Sequence, residues 1–306
     1  MNKSSLIGCD ATLQQVKDLI AAIRPARWRA DFPTSTDLEE VFQSPGIAQN
    51  ARLWRGTAGE AAAYAFVHFP YNNLTFEIHR EYRDDGLEDE ILAWAVERMR
   101  ARYGSSLADN SLDGSCRVDD ARMVGFFTRH GFDKEEVESV MYEVELAAPP
   151  SAAVLPAGFT IRPLNAGSEL AEVLAVHQAA YGSRDFTLED RLAMMNTAAY
   201  IPALDLVAVA PGGALAGNCV CGVEGVSALD GVLEGYTDPV VVGPAFQRMG
   251  LAAALLLSGL AGLHAQGVRR ARLGTSSTNR GMKRAAEAAG FHLVAQKAWF
   301  SLKLSG

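Results

Sequence analysis

The chain has 306 residues, 49% of them hydrophobic and 21% charged, with a formal charge of −8. That length suits two domains of about 150 residues better than one fused core, and the composition excludes wholesale disorder and fibrous repeats. The acidic balance, 36 acidic against 28 basic residues, disfavours nucleic acid and mildly favours neutral or cationic small partners.

Taken in order, the first half shows helical spacing over Leu13–Ala22 and Thr36–Phe42. Strands are expected at Ala51–Gly56, Ala61–His68 and Asn73–His79. A helix over Leu87–Tyr103, a short helix ending at Gly131-Phe132 and a strand at Ser139–Leu146 follow. Pro and Ala then replace periodic sequence in AAPPSAAVLPAG, so residues 148–158 read as a linker between domains spanning 1–147 and 159–306. The second half predicts helices at Glu169–Ala180 and Leu188–Met195, then strands at Asp205–Ala210, Ala216–Val223 and Val232–Val242. A long apolar helix from Gly250 to about Gln266 precedes a strand at Arg269–Leu273, a helix at Asn279–Ala289 and closing strands through Leu304. This is an α/β order.

The halves share spacings. Arg83-x-x-Gly86 stands where Gln247-x-x-Gly250 stands, and Asp120 precedes Gly131-Phe132 by the same 11 residues that separate Asn279 from Gly290-Phe291. A tandem repeat of one domain type is therefore expected.

The strongest local signal is VVVGPAFQRMGLAAAL, residues 240–255. A strand ends near Val242, Pro244 opens a turn, and Gln247-x-x-Gly250-x-Ala252 begins a helix. The backbone N–H groups of 248–253 precede the helical ladder and converge into a cradle for an anion, strengthened by the helix dipole. A tight strand-to-helix turn with no ligand is the plainer reading of the same string.

This stretch resembles the GCN5-related N-acetyltransferase (GNAT) superfamily, whose pyrophosphate loop has the pattern Gln/Arg-x-x-Gly-x-Gly/Ala. The likeness extends over the preceding strand LEGYTDPVVV, the long apolar helix, the strand at Arg269–Leu273, and Asn279-x-x-Met282 leading to Gly290-Phe291. It implies two tandem GNAT-type domains, each a mixed, mostly antiparallel central sheet flanked by helices. It also implies acetyl-CoA, or another acyl-CoA, as the cosubstrate. By the same resemblance Val240, Val241 and Val242 meet the pantetheine arm. Gln247, Arg248, Met249, Gly250, Leu251, Ala252 and Ala253 meet the pyrophosphate, and Asn279 the distal cofactor. In the first half Asp84, Asp85, Glu88, Asp89 and Glu90 crowd the corresponding loop. Their mutual repulsion makes a degenerate N-terminal lobe the expectation, an arrangement similar to that of tandem members such as mycothiol synthase.

Acetyl transfer to an amine needs a neutral nucleophile and a group to receive its proton. Alternation puts Glu234, Tyr236 and Asp238 on one strand face, provided that Pro239 introduces no bulge. Asp238 is the first candidate base, acting through water, and Glu234 the second; Tyr236 is a candidate acid. Capping or solvation of these acids is the alternative. Many members of the family carry a Tyr acid seven residues after the Asn, where this chain has Ala286. The expected acceptor is a small-molecule amine, with protein N-termini and lysines as further candidates; a catalytically silent CoA-sensing or partner-binding module is the alternative. Cys9, Cys116, Cys219 and Cys221 are expected to be reduced. The six histidines show no zinc spacing, so no metal is expected. With no run of about 18 uncharged apolar residues and no secretory apolar segment at the start, a cytoplasmic protein without membrane association is expected.

Overall fold

The computed structural model describes residues 3–6, 10–24, 28, 31–44, 46–56, 59–69, 71–83, 86–227 and 230–304. Two compact units emerge. The N-terminal unit comprises Met1–Glu138 and Gln296–Gly306, and the C-terminal unit Ser139–Ala295. This division departs from the expected one, because each unit takes one strand from the other half of the sequence, β12 in the N-terminal unit and most of β6 in the C-terminal one.

The elements of the N-terminal unit are β1 (Lys3–Leu6), α1 (Asp10–Ile23), α2 (Ser35–Val41), β2 (Ala51–Arg55), β3 (Ala61–His68), β4 (Asn73–Ile78), α3 (Leu87–Tyr103), β5 (Ser111–Arg117), α4 (Ala121–Arg129) and the start of β6 (Asp133–Glu145). The C-terminal unit continues with the rest of β6, β7 (Thr160–Pro163), α5 (Ala166–Tyr181), α6 (Leu188–Met195), β8 (Tyr200–Val209), β9 (Leu215–Val226), β10 (Leu233–Val242), α7 (Leu251–Ala265), β11 (Arg270–Ser276) and α8 (Arg280–Ala288). The last strand, β12 (His292–Lys303), begins in this unit and returns to the N-terminal one.

In the N-terminal unit the strand order is β1-β2-β3-β4-β5-β12, antiparallel except for β4 and β5. In the C-terminal unit it is β6-β11-β10-β9-β8-β7, antiparallel except for β10 and β11. Each half is thus a mixed, mostly antiparallel sheet with one parallel junction, flanked by helices.

Burial explains the two exchanged strands. Val140, Tyr142, Val144 and Leu146 enter the core built by α7, β8 and β11, while Ala298, Phe300 and Leu304 enter the core built by α3, α4 and β4. Phe300 stacks on Phe127 with ring centroids 4.6 Å apart. Period-2 alternation marks a segment as a strand but carries no information about which sheet receives it. Strand β5 went unread because its buried positions are only Leu112, Gly114 and Cys116. Gly114 is required there, since a Cβ would lie 2.7 Å from the Phe127 ring.

In the C-terminal unit α7 is apolar on nearly every side. Leu251, Ala254, Leu255, Leu256, Leu260 and Leu263 are buried against the sheet, and Gly259 lets the helix approach Cys221. The opposite face is covered by Val173 and Val176 of α5, packed with Val207 and Leu215. Cys116, Cys219 and Cys221 are buried free thiols, whereas Cys9 lies outside the described residues. No described helix is long and apolar enough to cross a membrane.

Candidate functional site

The site begins where β10 and β11 part. Their parallel register runs from Glu234↔Arg270 to Tyr236↔Arg272, and the Thr237 hydroxyl then donates to the Arg272 carbonyl at 3.3 Å. No further pair between these strands follows among the described residues, although β10 continues to Val242 and β11 to Ser276. Each remains held on its outer side, β10 by Val240↔Cys219 to Val242↔Gly217 and β11 by Leu273↔Tyr142 to Ser276↔Ser139. A wedge therefore opens in a sheet that is otherwise continuous, with backbone N–H and C=O groups along its walls.

At the wide end Gly243 N–H donates to Ala216 and Phe246 N–H to Gly243, fixing a one-turn bend over Pro244–Phe246. The Gln247 side chain folds back to the Val242 carbonyl at 3.3 Å. Arg248 and Gly250 both adopt positive φ, 65° and 83°, and Gly250 is the N-cap of α7 without any side-chain cap. The first helical hydrogen bond is Ala254 N–H to Gly250 O at 3.1 Å, so the N–H groups of Leu251, Ala252 and Ala253 lie ahead of the ladder. No atom comes within 4 Å of a Cβ built on Gly250, leaving open space at the helix start. These features suit a phosphate-bearing ligand: converging donors, the positive end of a 15-residue helix and no acid in its first turn.

The three predicted catalytic residues take different places. Glu234, 9% exposed, accepts from Arg270 Nη1 at 2.9 Å and from Arg272 Nη1 and Nη2 at 2.9 and 3.1 Å. Arg270 and Arg272 also meet Glu143 and Glu145 of β6, and Arg270 meets Asp230. A carboxylate clamped by two guanidiniums is committed to that network. Tyr236 lays its ring over Gly222 of β9, where a Cβ would come within 2.5 Å of it. Asp238 is exposed. The condition for a common face fails: the register with β9 slips between Thr237↔Cys221 and Val240↔Cys219, setting Asp238 and Pro239 opposite one residue. Pro239, joined by a cis peptide, has no N–H to give the ladder, and simple alternation stops there.

Asn279 caps α8, its Oδ1 accepting from Met282 N–H at 3.1 Å and its Nδ2 donating to Thr275 at 3.2 Å. Ala286 is completely buried, under the C-terminal turn whose Phe291 N–H returns to the Ala286 carbonyl.

A polar cluster beside the wedge was missed in the sequence. Asp205 of β8, with no exposed surface, accepts from Arg191 of α6, from the Tyr200 hydroxyl at 2.8 Å and from Asn218 Nδ2 at 2.9 Å. These bonds pin α6 to β8 and β9. Burial, and then Asp205, push the Tyr200 hydroxyl pKa upward. His177 of α5 stacks between Tyr181 and Phe186 at 4.8 and 4.2 Å. Burial first, and Arg191 second, push its pKa down to about 4, so it is neutral at pH 7. Asp205 and Asn218, isolated polar residues inside otherwise apolar strand runs, were the available signal.

The acids at the corresponding turn of the N-terminal unit are not the unrelieved cluster that repulsion arguments assume. Glu88 is paired with Arg122 and Arg129, Asp89 with His130, and Glu90 accepts the Trp54 indole N–H at 2.8 Å. Asp84 and Asp85 lie outside the described residues.

Residues 175–291 match the model of the acetyltransferase (GNAT) family. A GCN5-related N-acetyltransferase from Sphaerobacter thermophilus is similar over 98% of this chain and 94% of its own, with a TM-score of 0.72 at 24% identity. A tandem GNAT protein from the clavulanic acid biosynthesis pathway covers 99% of both chains at 16% identity and a TM-score of 0.71. A putative acetyltransferase from Pyrococcus horikoshii covers 100% of this chain and 91% of its own, at 13% identity and a TM-score of 0.62. No curated protein matches the chain. The stretch that matches the acetyltransferase (GNAT) family model, residues 175–291, contains the whole wedge, the glycine-started helix α7 and α8, and the chain as a whole has the fold of the tandem GNAT proteins it resembles.

Proposed function

We propose that the C-terminal unit binds acetyl-CoA and transfers its acetyl group directly to an amine of a small molecule. The observation that carries this reading is the parting of β10 and β11 at Tyr236/Arg272, with the uncapped start of α7 at the wide end. When bound, the cosubstrate supplies an acetyl group activated as a thioester.

The chain's own groups then have separate tasks. The edges of Val240, Val241 and Val242 offer backbone pairing to an extended arm, and the N–H groups of 251–253 receive phosphate oxygens. Gln247 holds the loop to Val242, and Arg248 and Met249 form its exposed rim. Asn279 acts as the cap that orients α8 at the far side of the wedge. Asp238, exposed at the bulge, takes the amine proton through water, and Glu234 serves as the anchor of the arginine network instead of a base. Formation of the N–C bond and cleavage of the C–S bond return a thiol, with Tyr236 as the candidate donor of its proton. His177, Tyr181 and Phe186 give the acceptor side an aromatic wall.

The second reading, a CoA-binding module without turnover, is favoured by one observation: the position of the family's Tyr acid is the fully buried Ala286. Calorimetric titration with acetyl-CoA, followed by thiol-release assays over a panel of small amines, separates the two. Binding with thiol release supports the transferase; binding without release for any amine supports the module; no binding removes both.

A further inference from the structure

The N-terminal unit contains a partly open cavity of about 340 Å³ between β4 and β5, bounded by the end of α1, the start of α4 and β12. It is an unusually cationic place in a protein of formal charge −8. Five cations line it, Arg24, Arg83, Arg117, Arg122 and Lys297, against three acids, Asp31, Glu77 and Asp120.

Most of these charges are already matched. Arg24 pairs with Glu77, Arg117 with Asp31 and Asp119, and Arg122 with Glu88; Asp120 caps α4 by accepting from Met123 N–H. Arg83 and Lys297 differ. Arg83 Nε donates to the Ile78 carbonyl and Lys297 Nζ to the Phe32 carbonyl, each at 3.3 Å, and neither meets a carboxylate among the described residues. Their surroundings also differ. The charges acting on Arg83 are chiefly Arg122 and Asp120, and those on Lys297 are Asp31, Arg24 and Asp37; Glu77 acts on both. Burial lowers the pKa of both groups, and Arg122 lowers that of Arg83 further. Two half-buried cations, each without a carboxylate partner among the described residues, are stabilised by two anionic groups brought in together.

Size and wall chemistry narrow the ligand. A volume of about 340 Å³ lies near the lower end of ligand clefts. Phe32, Phe76 and Met123 supply apolar wall between the charges. The ligand is therefore compact, with a short carbon skeleton.

We propose that this cavity binds a small dicarboxylate, with one carboxylate on Arg83 and the other on Lys297. The site is independent of the acetyl-CoA reading of the C-terminal unit.

The test is calorimetric titration of the full chain with succinate, with propionate, glycerol 3-phosphate and neutral succinamide as comparisons at matched ionic strength. The proposal expects saturable binding of one succinate per chain and no binding of succinamide. Propionate, Arg83→Gln and Lys297→Met are each expected to weaken binding about tenfold or more, as for loss of one charge-assisted contact. Gly250→Glu should leave succinate binding unchanged. Thermal unfolding of each unliganded variant checks its fold; if Lys297→Met does not fold, Arg83→Gln decides alone. Absence of saturable succinate binding, full affinity retained in both variants, or preference for glycerol 3-phosphate would overturn the proposal.

Discussion

The two units solve the same backbone problem at the same places and then diverge in side chains. Each has six strands with one parallel junction, β4/β5 or β10/β11. Each opens the following helix on a left-handed glycine without a side-chain cap, Gly86 at φ 71° or Gly250 at φ 83°. Each caps its next helix with an Asx residue, Asp120 or Asn279, and ends it before a left-handed glycine and a buried phenylalanine, Gly131-Phe132 or Gly290-Phe291. What differs is the first turn after the glycine. α3 begins Leu-Glu-Asp-Glu and places its own carboxylates at the positive end of the helix dipole; α7 begins Leu-Ala-Ala-Ala and has no carboxylate there. A fold can thus be repeated through its glycines and caps while three residues change the charge at one helix start.

The largest expected effect tests that contrast directly. Gly250→Glu should abolish detectable acetyl-CoA binding by calorimetry, while Gly86→Glu leaves it unchanged. The reverse pattern would make the N-terminal unit the working one. A residue with a side chain at positive φ costs roughly 1–2 kcal/mol of backbone strain, tolerable at an exposed cap with open space around it. Next in size, Asp238→Asn should lower kcat on an accepted amine by about 10²-fold or more without changing acetyl-CoA affinity. Glu234→Gln should instead lower thermal stability and leave the pH profile of kcat in place; a shifted profile would return the base role to Glu234.

Phe300→Ala sharpens the comparison on the stability side. It should cost about 3–5 kcal/mol in denaturant unfolding, and the loss should appear in the N-terminal unit although the residue lies near the end of the sequence. Hydrogen exchange resolved by segment reads which unit responds. The smallest expected effect concerns His177. Its folded pKa of about 4 lies below the unfolded value of about 6.5, so the unfolded chain binds the extra proton first as pH falls. Stability is retained above about pH 6.5 and declines as pH drops toward 4. His177→Phe, keeping the ring stack, should flatten that decline in melting temperature measured between pH 7.5 and 5.

Much of this was legible because backbone requirements leave marks in sequence. Gln247-x-x-Gly250, the Asx caps and the Gly-Phe endings stand at positions where few residues serve, and they marked the repeat and the glycine start of α7. Helix α7 and strands β3, β8 and β9 announced themselves through dense apolar runs. Strand β5 did not, since two of its three buried positions are a glycine and a cysteine. The face of Asp238 was illegible for a different reason. Period 2 holds only while pairing is regular, and Pro239 interrupts it. The clamp on Glu234 and the pinning of Asp205 depend on partners 36–38 and 14 residues away, and no local pattern encodes those distances. The unit boundaries were displaced for the same reason, since strand identity is local and strand partnership is not.

The route of β12 also orders events while the chain is being made. Residues 1–138 are synthesised before the C-terminal unit, yet the edge of β5 receives its partner, and the core its Ala298, Phe300 and Leu304, only when residues 297–304 follow. The C-terminal unit has all of its strands by residue 295. The half synthesised first is therefore completed after the other, and until β12 follows it presents an unpaired strand edge of the kind that favours aggregation or capture by chaperones.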